Sequence, residues 1–403
     1  MHGSVAAPED QRAGIDARRR EALWPLVAYF LRLGAVGFGG PVALVGYMQR
    51  DLVERRRWVA DEEYKLGLAL AQIMPGPLAA QLAIAIGYFA HGVLGATLVG
   101  IAFVLPSFLM VLALSAAYVA YGGLWWMQAA FYGVSAAVIG IIAIAASKLA
   151  RKVNRRDPLL WGIFALLFVV TAVAKAELAE FFLLAGLLVL VVKAPPRWLR
   201  ARLPFLGVVP AAVALPALAL VAAVETQTGL LWEILLFFTK AGAFVFGSGL
   251  AIVPFLQQGV VEGHGWLTEQ QFLDAVAVAM ITPGPVVITV AFIGYLVAGL
   301  PGATLAAIGI FLPVWVLTVV PAPWFVRHRH NAQLRAFSDG ATAAASGAIA
   351  GAVVVLAGRA IYDLPTAFIA LASLAVLWRY KIPEPLLVLA AAAVGLVLWQ
   401  GAG

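Results

Sequence analysis

The chain has 403 residues, of which 63% are hydrophobic and 12% are charged. A soluble globular domain has about 25% charged residues, so this composition excludes an ordinary soluble domain and indicates a polytopic membrane protein in a lipid bilayer. The formal net charge of +7 suits basic cytoplasmic loops and, as a second interpretation, an anionic substrate. The absence of cysteine excludes disulfides, thiolate metal sites and cysteine nucleophiles.

The chain begins with a polar, basic segment, 1–23, that lacks the apolar core and cleavage site of a signal peptide, so we expect a cytoplasmic leader. Apolar runs bounded by charges, Gly and Pro follow, and they are long enough for membrane helices. The helical segments predicted in the first half are 24–53, 61–91, 93–120, 124–148, 158–174 and 176–193. Those predicted in the second half are 230–261, 269–298, 300–326, 335–358, 360–378 and 384–400. One unmatched apolar segment, at about 206–224, lies between the halves.

The two halves are copies of one another. "FLRLGAVGFGGPVALVGYMQRDLVERRRW" from Phe30 aligns with "FTKAGAFVFGSGLAIVPFLQQGVVEGHGW" from Phe238. A Pro-Gly-Pro tripeptide follows in both halves, in "IMPGP" and "ITPGP", and "GYFAHGVLGAT" then aligns with "GYLVAGLPGAT". The duplication predicts four regions, which are the leader (1–23), a first repeat (24–200), a linking transmembrane helix (201–228) and a second repeat (229–403).

Loop charges indicate that the second repeat is inverted relative to the first, because basic loops stay on the cytoplasmic side. "SKLARKVNRRD" (147–157) is basic, whereas its partner near Arg359 is almost neutral. "RHRHNAQLR" (327–335) is basic and its partner "YGGLWWMQ" is uncharged, while "ERRRW" (54–58) is basic and "EGHGW" (262–266) has no Lys or Arg. The predicted fold is therefore an all-α polytopic membrane protein of two inverted-topology repeats, joined by one extra transmembrane helix.

The FGGP and PGP motifs predict that helices are broken at matched places in the apolar sequence. If segments 24–53 and 61–91 are re-entrant hairpins with tips at "GFGGP" and "MPGP", every strongly basic loop falls in the cytoplasm. Arms of about 11–15 residues would reach the bilayer midplane. The alternative is a pair of kinked full spans, because Pro and Gly are common in membrane helices.

Matched breaks in inverted repeats are typical of the substrate site of a secondary transporter. A broken helix frees backbone N–H groups at its new N-terminus, where the macrodipole also favours an anion. The same reasoning at helix C-termini would predict a cation site, and the sequence leaves open which ends converge.

Two matched cations favour the anion. Arg32 and Lys240 are repeat partners, and each lies shortly before a break in apolar sequence. Snorkelling of these side chains to the membrane interface is the alternative. Ser248, Gln72 and Thr282 could donate hydrogen bonds to oxyanion oxygens or could bond between helices. The predicted substrate-binding residues are Arg32, Lys240, Phe38, Gly39, Gly40, Pro41, Phe246, Gly247, Ser248, Gln72, Pro75, Gly76, Pro77, Thr282, Pro283, Gly284 and Pro285.

Three carboxylates need a separate interpretation. Glu54 and Glu262 occupy matched positions at the predicted hairpin exits, where they would either couple ions to transport or be solvated helix ends. Asp274 lies in an apolar segment but is aligned with Leu66, so any role would belong to one half only. The sequence contains no Gly-rich phosphate loop with a lysine, no HExxH and no GxSxG. We therefore expect no catalytic residues, no metal and no cofactor, and we expect that the protein is not an enzyme.

Together these motifs resemble the chromate ion transporter (CHR) family, and specifically its long-chain members with two fused homologous halves. The resemblance lies in "GFGGPVALVGYMQRDLVERRRW", "AQIMPGPLAAQLAIAIGY" and "GATLVGIAFVLPSF" with their second-half copies, and it runs from about Trp24 to the C-terminus. It implies a multi-pass inner-membrane chromate exporter that confers chromate resistance and is driven by the electrochemical gradient and not by ATP. The second half departs from the pattern, with "FGSG" in place of "FGGP".

We therefore expect a secondary active transporter that exports chromate, or a related tetrahedral oxyanion such as sulfate, by alternating access around a midplane site at the repeat interface. The expected partners are the oxyanion and the lipid bilayer, with a homodimer as a further candidate and no nucleic acid. One alternative is a passive anion channel, which predicts uncoupled, ohmic currents. The other is a non-transporting membrane scaffold, which predicts no flux.

Overall fold

The structure is a computed structural model in which every regular element of the described residues is a helix. The described residues are 23–38, 40–121, 124–174, 179–195, 229–244, 249–328, 331–380 and 382–399. The predicted leader, apart from its last residue, and the predicted linking helix at 201–228 lie outside them.

The described residues of the first half form seven α-helices, with π-helical turns at Gln49–Arg55 and Val170–Ala174. The helices are α1 (Leu23–Val36), α2 (Gly40–Met48), α3 (Asp61–Ile73), α4 (Leu78–Tyr121), α5 (Trp125–Asn154), α6 (Pro158–Val169) and α7 (Ala179–Lys193). The predicted boundary between segments 61–91 and 93–120 is a kink inside α4, where His91 and Gly92 have non-helical backbone angles.

The described residues of the second half form eight α-helices, with 3-10 turns at Gly249–Ile252 and Val286–Ile288 and a π-helical turn at Gln257–Gly263. The helices are α8 (Leu230–Ala243), α9 (Val253–Leu256), α10 (Glu269–Ile281), α11 (Thr289–Val319), α12 (Ala322–His328), α13 (Ala332–Ala360), α14 (Leu364–Arg379) and α15 (Glu384–Leu398). Among the described residues, four stretches are long and apolar enough to cross a membrane, namely α4, α5, α13 and the stretch Val286–Phe325 around α11.

The breaks at the FGG and PGP motifs are present, and the chain folds back on itself at each. A Cβ on Gly67 of α3 would lie 3.4 Å from the Cβ of Ala85 on α4, so α3 packs against the first turns of α4. The guanidinium of Arg56 lies 5.5 Å from the ring centroid of Tyr29, so the start of α1 meets the chain after α2. In a continuous helix these last two residues would be roughly 40 Å apart. Residues 23–38 and 40–91 therefore form two helical hairpins, whatever their depth in a bilayer.

Backbone geometry is the same at several aligned positions of the two halves. Gly92 and Gly299 both have φ 62° and ψ −150°, in a kink that follows the Pro-Gly-Pro break. Trp58 N–H donates to the Leu52 carbonyl over 2.9 Å, and the aligned Trp266 N–H donates to Val260 over 2.8 Å. The aligned sequences thus form the same local turns, including a π-helical turn that their periodicity does not predict.

The two halves exchange helices in their packing, in the sense that one helix of each half packs against two helices of the other. α5 of the first half packs against α14 and α15 of the second, while α13 of the second half packs against α6 and α7 of the first. Glycines allow the close approach: a Cβ on Gly133 of α5 would collide with the carbonyl oxygen of Ala391. A Cβ on the aligned Gly340 of α13 would lie 2.5 Å from the carbonyl oxygen of Ala185. Small residues at such crossings are typical of membrane helices.

Burial separates a central pair of helices from a lipid-facing layer. Most of the apolar window of α5 and of α13 is buried, 78% and 72% respectively, against 28% for α4. α4 exposes an apolar face that includes Leu94, Ile101 and Leu105, which suits contact with lipid hydrocarbon. The protein is a multi-pass membrane protein with α5 and α13 at its centre.

A polar cap fixes the start of α14. The carboxylate of Asp363 accepts a hydrogen bond from the Thr366 N–H over 2.8 Å, and Thr366 Oγ1 bonds back to the Asp363 N–H over 3.3 Å. The Tyr132 hydroxyl of α5 donates to the same carboxylate over 2.6 Å. Burial would raise the pKa of Asp363, but these hydrogen bonds outweigh it and hold the pKa below its ordinary value.

Candidate functional site

The Pro-Gly-Pro break of the second half contacts the FGG break of the first. The Gly284 N–H donates to the Gly37 carbonyl over 3.1 Å. Gly284 has φ +97°, and a Cβ built on it would lie 2.7 Å from Ser107 Oγ, so the backbone here approaches α4 closely. The aligned contact in the other direction would involve residues 245–248, which lie outside the described residues.

The Pro-Gly-Pro break of the first half is buried and is closed by a glutamine. The Gln81 side-chain amide donates to the Pro75 carbonyl over 2.6 Å, and Gly76, at φ +143°, leaves room for that amide. The first helical hydrogen bond of α4 runs from the Gln81 N–H to the Pro77 carbonyl over 3.0 Å. The three preceding N–H groups, from Leu78 to Ala80, therefore have no acceptor within the helix, and their residues are buried. The broken helix thus has the free N-terminal N–H groups that the sequence predicts, and their binding of an anion stays a prediction.

The predicted cations lie near the C-terminal ends of the helices that lead into the breaks. Arg32 is one turn before the end of α1 and is exposed, and Lys240 is in the last turn of α8 and is half-buried. Cations in these positions also interact favourably with the helix dipole. Their assignment to a substrate site stays a prediction.

The other predicted site residues have varied surroundings. Thr282 is buried and its hydroxyl donates to the Ala279 carbonyl of its own helix over 3.1 Å. The Gln72 side chain is exposed, while its carbonyl accepts a hydrogen bond from Ser338 of α13 over 2.9 Å. In the first FGGP motif, Phe38 is exposed, Gly40 begins α2 and Pro41 is half-buried. In the two Pro-Gly-Pro motifs, Pro75 is half-buried, and the buried residues are Gly76, Pro77, Pro283, Gly284 and Pro285. Gly39, Phe246, Gly247 and Ser248 lie outside the described residues.

Glu54 and Glu262 are exposed at the ends of matched π-helical turns. Glu262 accepts a hydrogen bond from Gln257 over 3.3 Å. Their exposure is what a solvated helix end requires, and their coupling role stays a prediction.

A polar cluster that sequence reasoning did not assemble surrounds Asp274 of α10, which is 3% exposed. The Tyr118 hydroxyl donates to Asp274 Oδ2 over 2.7 Å, and the Gln270 amide donates to Oδ1 over 2.9 Å. Ser135 of α5 completes the cluster, with its Oγ 3.4 Å from Oδ1. An acidic residue in an apolar run, with a glutamine four residues before it on the same helix face, is the signal in the sequence, but Tyr118 and Ser135 come from the other half and no local spacing points to them.

The described residues contain no group of three or more His, Cys, Asp or Glu side chains that could hold a metal ion. The candidate site is thus built from backbone groups, two cations and a few amide and hydroxyl side chains.

Comparison with known proteins identifies the family of the chain. A family model described as "Chromate transporter" matches residues 24–192 and 232–396, which are the two halves. The chain belongs to the chromate transporter family. The family consists of transport proteins and not of enzymes, in agreement with the lack of catalytic motifs.

Relatives of similar length are named as transport proteins. The "Chromate transport protein" of Cupriavidus metallidurans is 60% identical over 98% of both chains. The "Probable chromate transport protein" of Synechococcus elongatus is 58% identical over 94% of this chain and 96% of its own. The "Chromate transport protein" of Pseudomonas aeruginosa is 33% identical over 94% and 93%. No solved structure matches the chain.

Proposed function

We propose that this chain is a secondary active transporter that exports chromate, or a related tetrahedral oxyanion such as sulfate, across the inner membrane and thereby gives chromate resistance. The names of its full-length relatives support the substrate class. The observation that carries the mechanism is the contact between the Gly284 N–H and the Gly37 carbonyl, because it joins the broken segments of the two halves.

The two halves are proposed to be inverted-topology repeats that rock about this contact. Their matched kinks at Gly92 and Gly299 and their reciprocal exchange of α5 and α13 support a pseudo-twofold relation. The loop-charge bias supports inversion. The contact between the Tyr29 ring and the Arg56 guanidinium supports re-entrance, because this contact brings both ends of the first hairpin to one side. The second half has a matching contact, with the rings of Phe237 and His264 5.5 Å apart.

The proposed anion site lies at the breaks, between the N-termini of α2 and α4. Buried N–H groups at the start of α4 would donate to the oxyanion without carrying a fixed charge. Arg32 and Lys240 would supply the positive charge that a dianion requires. The described hydroxyl of Thr282 is bonded to its own helix, so backbone donors are the main hydrogen-bonding groups of this proposal.

Transport by purified protein in proteoliposomes tests the function. Uptake of radiolabelled chromate and sulfate would be followed under imposed pH and voltage gradients. A transporter accumulates the anion against its gradient, a channel gives ohmic currents without accumulation, and a scaffold gives no flux. Size-exclusion chromatography with light scattering would decide between a monomer and the predicted homodimer.

The site is tested by Arg32→Ala and Lys240→Ala. A charge-assisted hydrogen bond contributes about 1.5–3 kcal/mol, so each change should raise the apparent KM for chromate about tenfold or more. Arg55→Ala is the matched control, because Arg55 lies on the same hairpin, has a 69% exposed side chain and contacts Asp51. Normal transport by both test variants would refute the site assignment.

Topology is tested separately by labelling. The chain has no cysteine, so Arg57→Cys provides a single reactive thiol. Re-entrant hairpins predict that an impermeant maleimide labels this thiol only from the cytoplasmic side. Labelling from outside would refute the hairpins but not the inverted repeat.

A further inference from the structure

The cluster around Asp274 joins the two halves through a buried carboxyl. Asp274 lies on α10 of the second half, whereas Tyr118 and Ser135 lie on α4 and α5 of the first. Gln270, one turn before Asp274, donates to Asp274 Oδ1 and to Ser135 Oγ over 2.9 and 3.1 Å. A carboxyl at this depth is costly in membrane proteins unless it has a functional partner or role.

No cation among the described residues pairs with this carboxyl. α10 packs against α4, α5, α11, α13, α15 and the turns at each of its ends. The titratable or charged side chains on these elements and on α10 itself are Tyr88, His91, Tyr118, Tyr121, Tyr132, Lys148, Arg151, Lys152, Glu262, Glu269, Tyr295, Arg335, Asp339, Arg359 and Glu384. Of these, Tyr118 is the one whose hydrogen bond reaches Asp274 within the described part of the chain. Arg359 instead pairs with Glu269 over 3.1 Å, and Lys148 is roughly 20 Å along α5 from Ser135.

All three partners of Asp274 can bond to either protonation state. The hydroxyls of Tyr118 and Ser135 can donate to a carboxylate or accept from a carboxylic acid, and the Gln270 amide has both a donor and an acceptor. A fixed Lys or Arg would hold the carboxylate charged, but these neutral partners do not. The cluster is therefore suited to gain and lose a proton without losing its hydrogen bonds.

The cluster also has a connection to the surface. Asp274 is buried, whereas Gln270 is exposed at the first turn of α10 and touches both Asp274 and Ser135. Gln270 is therefore the exposed end of the cluster, on the side from which water approaches it. The Tyr118 hydroxyl approaches the other carboxyl oxygen from α4.

The same two elements carry the contact at the break. α10 leads into Gly284, whose backbone packs on Ser107 of α4, and α4 also carries Tyr118. The Asp274 contact and the Gly284 contact therefore bracket one α4–α10 interface, with about 15 Å of helix between them. A change in hydrogen bonding at Asp274 would therefore act on the interface that also holds the break.

We propose that Asp274 is the proton-binding residue that couples the proton gradient to anion movement, with Tyr118, Ser135 and Gln270 as positioning residues. The inference rests on the proposed transport function and adds its coupling ion. The step is a proton transfer between water and the Asp274 carboxyl, in which one O–H bond breaks and another forms, with no redox change.

Asp274→Asn tests the proposal, because the amide is isosteric and cannot take up the proton. Proteoliposomes containing radiolabelled chromate and an internal pH dye would be given a pH gradient, with voltage clamped by potassium and valinomycin. The variant should lose proton-driven accumulation and chromate-linked proton movement, and its anion exchange should no longer change with pH. Asp363→Asn is the matched control and should retain both, because Asn also caps helices well. Coupled accumulation by Asp274→Asn would overturn the proposal.

Two further measurements distinguish a wrong assignment of the proton-binding residue from a folding defect in the variant and from a wrong proposed function. Tyr118→Phe removes one hydrogen bond and should shift the pH midpoint of exchange, so a wild-type pH profile would count against the proposal. The carbonyl stretch of a buried protonated carboxyl, measured by infrared spectroscopy, should titrate in the wild type and vanish in Asp274→Asn, even if the protein transports nothing. A titrating band with no transport would refute the function alone, and the absence of a titrating band would refute the proton site.

Discussion

Replacement of Gly284 by alanine perturbs the contact that joins the two halves. The added Cβ would lie 2.7 Å from Ser107 Oγ and 3.1 Å from Ser107 Cβ, distances that require one element to move. The residue would also be held at φ +97°, where an L side chain is strained. Overpacking costs about 1–3 kcal/mol and the strained backbone about 1–3 kcal/mol, so Gly284→Ala should destabilise the protein by roughly 2–6 kcal/mol.

The two contributions can be separated with matched variants. Gly299 also has a positive φ, +62°, but a Cβ there meets nothing within 4 Å, so Gly299→Ala should show a strain cost alone, of about 1–3 kcal/mol. Ser107→Gly should cost about 1 kcal/mol by itself and should recover the overpacking cost when combined with Gly284→Ala.

Unfolding by SDS titration in mixed micelles measures these free energies, and chromate uptake gives a parallel readout. Overpacking at this contact predicts a favourable coupling energy between positions 107 and 284, and slower transport by Gly284→Ala. Wild-type stability of Gly284→Ala, or strict additivity in the double variant, would show that the two elements do not approach as closely as the structure has them.

Three other changes test features away from this contact. Arg57 has φ +52° where the second half has a glycine, so Arg57→Gly should raise stability by about 1 kcal/mol, measured by thermal unfolding in detergent; an unchanged or lower melting temperature would contradict the strain. Gln81→Leu leaves the carbonyl of the half-buried Pro75 without its hydrogen bond and should destabilise the protein by about 1–3 kcal/mol and slow chromate uptake; wild-type uptake would argue against a role for this break. Because the pKa of Asp363 is lowered in the folded protein, its contribution to the free energy of unfolding is present above about pH 4 and is lost as the pH falls through the folded pKa. Asp363→Asn should therefore make the melting temperature less dependent on pH at the acid end of its pH profile.

Local features of this chain could be predicted from sequence, because they depend on Gly, Pro and apolar spacing. The breaks before Gly40 and at Pro75–Pro77 lie where the motifs place them, and the family resemblance is confirmed. The duplication also predicts that Gly92 and Gly299 occupy equivalent places, and their backbone angles are the same.

Features that depend on long-range packing could not be predicted in this way. Nothing in the apolar pattern of α5 specifies that it packs on α14 and α15, because every membrane helix offers an apolar surface. Two of the partners of Asp274, Tyr118 and Ser135, come from helices of the other half, so the repeat alignment, which pairs Asp274 with Leu66, conceals its surroundings. The exposure of Arg32 depends on which face of α1 meets α4, and periodicity in a fully apolar helix does not decide that.

The exchange of helices between the halves sets an order for assembly in the membrane. α5 is made early, yet its packing partners α14 and α15 are near the end of the described chain. Until they are inserted, the glycine-bearing face of α5 lacks these neighbours, so the central helix acquires its final packing last. Truncation after α13 would therefore uncover the central helix α5, although every residue removed lies far from the breaks in sequence.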